Sequence, residues 1–281
     1  NYKPDLLIFG HADLIKDDTL AYLKDNYKNL KIAQWFLDPL VKAGPDYIKN
    51  KSRILDKIEF TDANFVTTSP DVLKFLPKER KCLFMPNPTD PSFEVLNNYE
   101  NNHCSMDVFF ALSHGVHRGI LKKGKFDERA DFVNKLVELT PNVKFDLYGI
   151  DNVQPIWADS FLKAISNSKM GVNLSRGDPI KYYSSDRITQ LIGNGLLTFI
   201  HKNTLFSNFF SSDEIIFYSD ISNLSEKIQK YAKDDGQRKK IAKRGKMKYM
   251  KYFNSTIVAE YIINKTFDNT YKKNKYLWEN K

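Results

Sequence analysis

Cysteine is scarce in this chain. Cys82 and Cys104 are the only two in 281 residues, too few for a disulfide framework and without the Cys-x-x-Cys spacing of a metal site. That usage fits a reducing compartment. No apolar run approaches the roughly 18 residues a membrane-spanning helix needs, and no signal-peptide pattern opens the sequence, so a soluble, cytoplasmic protein is expected. Common catalytic signatures are missing too. There is no Gly-x-Ser-x-Gly elbow, no phosphate-binding P-loop and no His-Glu-x-x-His, and His114 and His117 share a loop without a carboxylate or Cys beside them. No metal site is expected. The one Gly-x-Gly, Gly193-Asn194-Gly195, follows a helical pattern instead of a strand and so fails as a dinucleotide fingerprint. Hydrolase, kinase and dehydrogenase readings lose their usual evidence.

What the chain does have is positive charge and a regular alternation of strands and helices. The net charge of +9 calls for acidic partners, whether nucleic acid, anionic lipid or a phosphorylated metabolite, although Lys-rich composition alone would also give it. Strands are predicted over 5–9, 30–36, 64–67 and 81–85, with helices over 17–27, 48–60 and 70–75 between them. Such alternation points to a parallel sheet covered by helices. The abrupt start of the first strand fits a fragment whose first sheet strands are missing. A Pro- and Asn-rich stretch then reads as a linker, which gives a first domain over 1–88, a linker over 89–104 and a second α/β domain over 105–266.

The second domain centres on residues 169–200. A buried strand over 170–174 feeds a polar loop over 175–185, a short helix over 187–192 and another strand over 196–200. Ser184, Ser185 and Asp186 are candidate caps for that helix. A βαβ unit leaves its strand-to-helix loop at the carboxyl edge of the sheet, where free amides favour a phosphate. Loops at that edge carry Ser113, His114, Arg118, Lys122 and Lys123 after one strand, and Arg176, Lys181, Ser184, Ser185 and Arg187 after another. These are the candidate ligands of a diphosphate. Residues 267–281 form a basic, aromatic tail that reads as a fraying end. It could touch an anionic membrane, but packing of Leu277 and Trp278 back on the first domain is the preferred alternative.

From about residue 113 to 263 the chain resembles the donor half of GT-B glycosyltransferases, in particular the CgeB-like, spore-maturation-protein-like group. The likeness rests on GVNLSRG, SSDRITQLIGNGLLTF, DEIIFYSDISNLSEKIQKYAKDD and RKKIAKRGKMKYMKYFN, and more loosely on PDLLIFG and IAQWFLDP in the first hundred residues. It implies two Rossmann-like domains and a nucleoside-diphosphate sugar bound by the second as donor substrate, with no cofactor and no metal. The sugar would pass to a glycan or lipid-linked acceptor on the first domain, in a cytoplasmic enzyme at or near the inner membrane face. By position, Gln190 falls where relatives often carry a ribose-binding Glu. Tyr182 falls where many retaining relatives carry its partner acid.

Arg118 and Lys123, with Arg187 behind them, would stabilise the leaving diphosphate. His11 and Asp38, each just past a strand of the first domain, are candidate bases for the acceptor hydroxyl, against plain strand-end and turn roles. Two other readings stand beside transfer. One is a GT-B domain that binds nucleotide or glycan without turnover, prompted by the two missing acids; the other is a basic nucleic-acid binder, for which no reader motif is present.

Overall fold

Short runs of branched and aromatic residues build two parallel sheets, and helices with one apolar face cover them. The computed structural model describes residues 3–279 apart from 43, 45, 114, 115, 118, 119 and 122–126. The first sheet takes β1 (Leu6–Phe9), β2 (Lys31–Phe36), β3 (Ala63–Val66) and β4 (Cys82–Phe84) in the order β1-β2-β3-β4. Helix α1 (Asp17–Asn26), helix α2 (Tyr47–Ile58) and a 3₁₀ turn (Pro70–Val72) make the crossovers. Because the order is sequential, the loops that carry His11, Asp38 and Ser69 leave the same carboxyl edge. The middle of this sheet also holds a polar lock: buried Gln34 donates through Nε2 to Asn64 Oδ1 at 2.6 Å and to the Ile54 carbonyl at 3.0 Å. Buried amides need such partners, so this pair fixes β2 against β3 and α2.

The second sheet holds β5 (Met106–Ala111), β8 (Phe145–Tyr148), β9 (Ser168–Asn173), β10 (Leu197–His201) and β11 (Ile216–Tyr218). Between β5 and β8 lies a short antiparallel hairpin, β6 (Val116–His117) with β7 (Ile120–Leu121), where the sequence suggests only a loop. The order β11-β10-β9-β5-β8 means that the chain runs outward from β5 to β8 and then crosses back to β9. The direction reverses between β5 and β9, and in open α/β sheets a ligand crevice forms at that reversal, outside the strands' carboxyl ends.

Helices α3 (Glu128–Leu139), α4 (Ala158–Ser166), α5 (Arg187–Gly193), α6 (Ile221–Lys233), α7 (Asp235–Tyr252) and α8 (Ser255–Thr266) complete the fold. Asp127, Asp220, Asp234 and Asn254 cap α3, α6, α7 and α8, each accepting a hydrogen bond from a first-turn amide. Helix α5 has no such cap: Asp186 precedes it without a side-chain bond to its amides, contrary to the expectation for Ser184, Ser185 and Asp186. Helix α8, which the sequence groups with the second domain, lies against β2 and β3 of the first sheet. The tail follows it, and its described part, 267–279, packs back on the molecule instead of fraying. Tyr276 and Trp278 are buried with Phe65, Tyr261 and Phe253 in a core that draws on both ends of the chain, as the packed-back alternative expects.

Candidate active site

The crevice at the strand reversal contains a cavity of about 510 Å³, within the range of about 300–1,000 Å³ common for small-molecule sites. Ser113, Ser185, Arg187 and Gln190 line it together, so four of the expected donor residues converge. Trp157 and Phe161 form an aromatic wall at the start of α4. Neither was singled out by the sequence, in which Gly149 closes β8 but no charge cluster marks the segment that delivers them. Asp151, Asn152 and Ala158 all adopt positive φ there, of 50°, 64° and 50°, a chain path that sequence pattern does not announce.

Arg187 occupies the reversal itself. Its Nη1 donates to the Leu174 carbonyl at 2.8 Å and to Ser185 Oγ at 3.1 Å, and its Nη2 donates to the Ala111 carbonyl at 3.0 Å. The guanidinium lies 4.8 Å from the centre of the Phe110 ring. One side chain therefore ties the end of β5 to the residue after β9. Burial, helped by the neighbouring Arg129 charge, pulls its pKa down to about 10, so it remains a cation at neutral pH. Its hydrogen-bond partners are neutral, and no carboxylate lies within ion-pair distance of it among the described residues. Arg129 also lines the cavity but is held by both oxygens of Asp127, at 2.9 and 2.7 Å. Arg187 is thus the cation of this cavity that no carboxylate neutralises, while Arg129 is paired and Glu94 and Asp186 also line the wall, so the Arg187 side is the one suited to a diphosphate.

A second cavity of about 340 Å³ shares Arg129 and lies over the ends of β9, β10 and β11. Tyr183, Tyr218 and Asn173 line it. Burial raises the Tyr183 hydroxyl well above its ordinary value, and the charges of Asp38 and Asp186 raise it further. The backbone bond from the Ser69 amide to the Lys181 carbonyl, at 3.0 Å, marks where the carboxyl edge of the first sheet faces that of the second. There, His11 Nε2 stands 3.0 Å from Asp38 Oδ2, so the two base candidates form a pair. Arg53 approaches the same oxygen at 3.4 Å.

Other expected donor ligands are engaged elsewhere. Arg176 pairs with Asp46, and Lys181 with Asp71 at 2.7 Å, both across the gap between the sheets. Neither lines the first cavity. Tyr182 is buried, with its ring 5.0 Å from Phe84 and 4.6 Å from Phe209, and its hydroxyl accepts from Asn208. Its side chain serves the core and does not line the cavity. Ser184 is buried as well: its Oγ accepts from Asn173 and its carbonyl from Asn87. His114, Arg118 and Lys123 lie outside the described residues. Among the described residues no three His, Cys, Asp or Glu side chains gather as a metal site.

Residues 129–264 match the family model described as glycosyl transferase-like. Solved structures share the whole architecture. S. aureus TarM, in a complex with UDP, superposes with a TM-score of 0.60 at 14% identity over 86% of this chain and 52% of its own. Anabaena HepE in complex with UDP-glucose gives 0.61 at 9% identity over 94% and 79%. An alpha-glucosyltransferase in complex with UDP and a 13-mer DNA gives 0.63 at 16% identity over 94% and 80%. The fold is GT-B. The chain spans about half the length of TarM and roughly four-fifths of the other two. No curated protein sequence matches it. In this GT-B chain the two parallel sheets are the two Rossmann-like halves, and the match to the glycosyl transferase-like model falls within the second of them and the helices that follow. No described helix is long and apolar enough to cross a membrane.

Proposed function

We propose that the protein transfers a sugar from a nucleoside-diphosphate sugar, with UDP as the nucleotide, to a hydroxyl of a glycan or lipid-linked acceptor. The observation that carries this reading is the convergence of Ser113, Ser185, Arg187, Gln190 and Trp157 on one cavity at the strand reversal. The base would lie against Trp157 and Phe161, the ribose against Gln190, and the diphosphate over the Arg187 side. Arg187 would stabilise charge on the leaving diphosphate as the glycosidic bond breaks, in a pocket arranged before reaction. Arg118 and Lys123 join it on the family resemblance. With these cations the leaving group needs no metal.

The sugar would point toward the second cavity and the edge of the first sheet. An inverting reaction would use His11 to take the acceptor proton, with Asp38 orienting the ring and balancing its charge. A retaining reaction would leave the pair with an acceptor-binding role. A cytoplasmic place at or near the inner membrane face, and membership of the CgeB-like group, go with this reading.

The test is thermal shift with UDP, GDP, CDP and ADP, followed by product analysis with the matching sugars. UDP should raise the melting temperature, and the shift should fall when Gln190 is replaced by Ala. No shift with any of the four would sink the proposal. A second reading has one specific support: Tyr182 sits in the core, so the position where retaining relatives carry an acid offers the donor no side chain. Binding of UDP-sugar without transfer or hydrolysis would favour that non-catalytic domain. Nucleic-acid binding stays last, and would show as salt-steep affinity for any duplex.

A further inference from the structure

Gln190 lacks the charge of the acid expected there, yet the same wall of the cavity carries a carboxylate from another part of the chain. Glu94, on the segment between the two sheets, lines the cavity with Gln190 and Asn194. Helix α5 admits it at a glycine. A Cβ on Gly193 would lie 2.5 Å from Glu94 Cγ and 2.7 Å from Thr89 Oγ1, so only bare backbone lets this side chain lie so close. Gly193 is three residues beyond Gln190, and residues at that spacing share a helix face. The Glu94 side chain therefore runs along the face on which Gln190 stands.

The approach is anchored at both ends. Asn194 Oδ1 accepts from the Leu96 amide and its carbonyl from the Asn98 amide, each at 3.1 Å, while its Nδ2 donates to the Gln190 carbonyl at 2.9 Å. Glu94 Oε2 accepts from the Asp90 amide at 2.7 Å and from Thr89 Oγ1 at 3.3 Å. Burial raises the Glu94 carboxyl above its ordinary range in spite of those bonds. The cavity's other carboxylate, Asp186, stands at the opposite end of α5, beside Arg187.

We propose that Glu94 accepts the hydrogen bonds of the donor's ribose hydroxyls, supplying from the interlobe segment the negative charge that Gln190 lacks. The inference rests on the glycosyltransferase reading above. A charged acceptor makes a hydrogen bond roughly twice as strong as a neutral one, and Gln190 keeps one neutral contact beside it. Recognition of the sugar ring is then shared between α5 and a segment that joins the two halves.

Calorimetric titration of wild type and Glu94→Gln with UDP and with its dideoxyribose analogue tests this. Glu94→Gln should weaken UDP about tenfold, the range for a hydrogen bond to a charged group. The analogue, which also loses the Gln190 contact, should bind wild type at least as weakly as UDP binds the variant, and should lose little more in the variant. Equal affinity of wild type and Glu94→Gln for UDP would overturn the role of Glu94 alone. So would a wild type that binds the analogue as well as UDP, a result that does not depend on how the variant folds. Loss on Asp186→Asn but not on Glu94→Gln would move the role to Asp186 and overturn it too. A wild type that binds no nucleoside diphosphate overturns the donor reading and this inference with it.

Discussion

His11 Nε2 lies 3.0 Å from Asp38 Oδ2, joining the loops that follow β1 and β2. The ring rests against Phe36, with centroids 5.9 Å apart, while 46% of the His11 side chain stays open to solvent. Arg53 bridges Asp38 to Asp13, with Nη2 2.6 Å from Asp13 Oδ2, and so holds the carboxylate in place. A histidine oriented by a carboxylate and open on its other side is the arrangement a general base requires, and such a base contributes about 100- to 10,000-fold in rate. His11→Ala should lower turnover by about 100-fold or more, with the affinity for UDP unchanged, because the pair stands on the half opposite the cavity proposed for the donor. Unchanged turnover in steady-state assays would remove the base role and leave a retaining mechanism.

Arg187 presents a different case, in which position and chemistry coincide. Arg187→Ala would leave the Ala111 and Leu174 carbonyls without their donor at the point where the sheet reverses. A stability loss of about 2–4 kcal/mol is expected in denaturant titration, from lost charge-assisted bonds and desolvated carbonyls. Arg187→Lys keeps the charge, but one ammonium does not reproduce the fork that reaches both strand ends. That variant should recover less than half of the loss. Full recovery would show that charge alone matters there.

Much of this was legible in the sequence, for physical reasons that also show where legibility stops. Branched and aromatic runs such as Phe65 to Val66 and Val108 to Phe110 are buried on both faces, so composition alone marks them as parallel strands. Ser185 and Arg187 were found because strand, polar loop and helix start follow one another in the chain, and Gln190 because of its position in the family resemblance. Lys181 and Tyr182 defeat the same logic. They are neighbours on one loop, but Tyr182 has a φ of 62° and turns its ring into the core while Lys181 reaches Asp71 on the other half. Sequence pattern does not say which way a loop residue faces. Glu94 was hidden for another reason: it sits in a stretch that composition marks as a linker, and only tertiary packing against Gly193 brings it to the cavity.

The interlobe ion pairs should matter less than their prominence suggests. Asp71 and Asp46 have half or more of their side chains exposed, and such pairs are worth about 0–1 kcal/mol. Slight burial would raise the Asp71 carboxyl, but hydrogen bonds from Lys181 and Ser69 hold it below its ordinary value of 3.8. The stabilisation is therefore complete above that pH and fades as pH falls below it. Asp71→Asn should lower stability by less than about 1 kcal/mol at neutral pH and low salt. The deficit should shrink in high salt, where the pair is screened, and vanish in acid, where the carboxyl is protonated. The backbone bond from the Ser69 amide to the Lys181 carbonyl, at 3.0 Å, survives the substitution and keeps the halves in contact. Melting curves across salt and pH check all three, and a deficit that persists in acid would assign it to packing instead of charge.

The tail, by contrast, should be indispensable to the first half of the molecule. Trp278 is 4% exposed, its ring 5.6 Å from Phe253 and 5.2 Å from Tyr261, and Tyr261 in turn meets Phe65 of β3 at 5.8 Å. These contacts form a continuous aromatic chain from β3 of the first sheet to the end of α7. Removing a buried indole costs about 3–5 kcal/mol, and each aromatic pair adds about 0.5–1.5 kcal/mol beyond area burial. Trp278→Ala should therefore lower the unfolding free energy by about 3–5 kcal/mol. Because α8 covers β2 and β3, hydrogen exchange should speed up first in those strands, while β9 and β10 of the second sheet keep their protection. Uniform loss of protection across both sheets would instead mean that the two halves unfold as one cooperative unit.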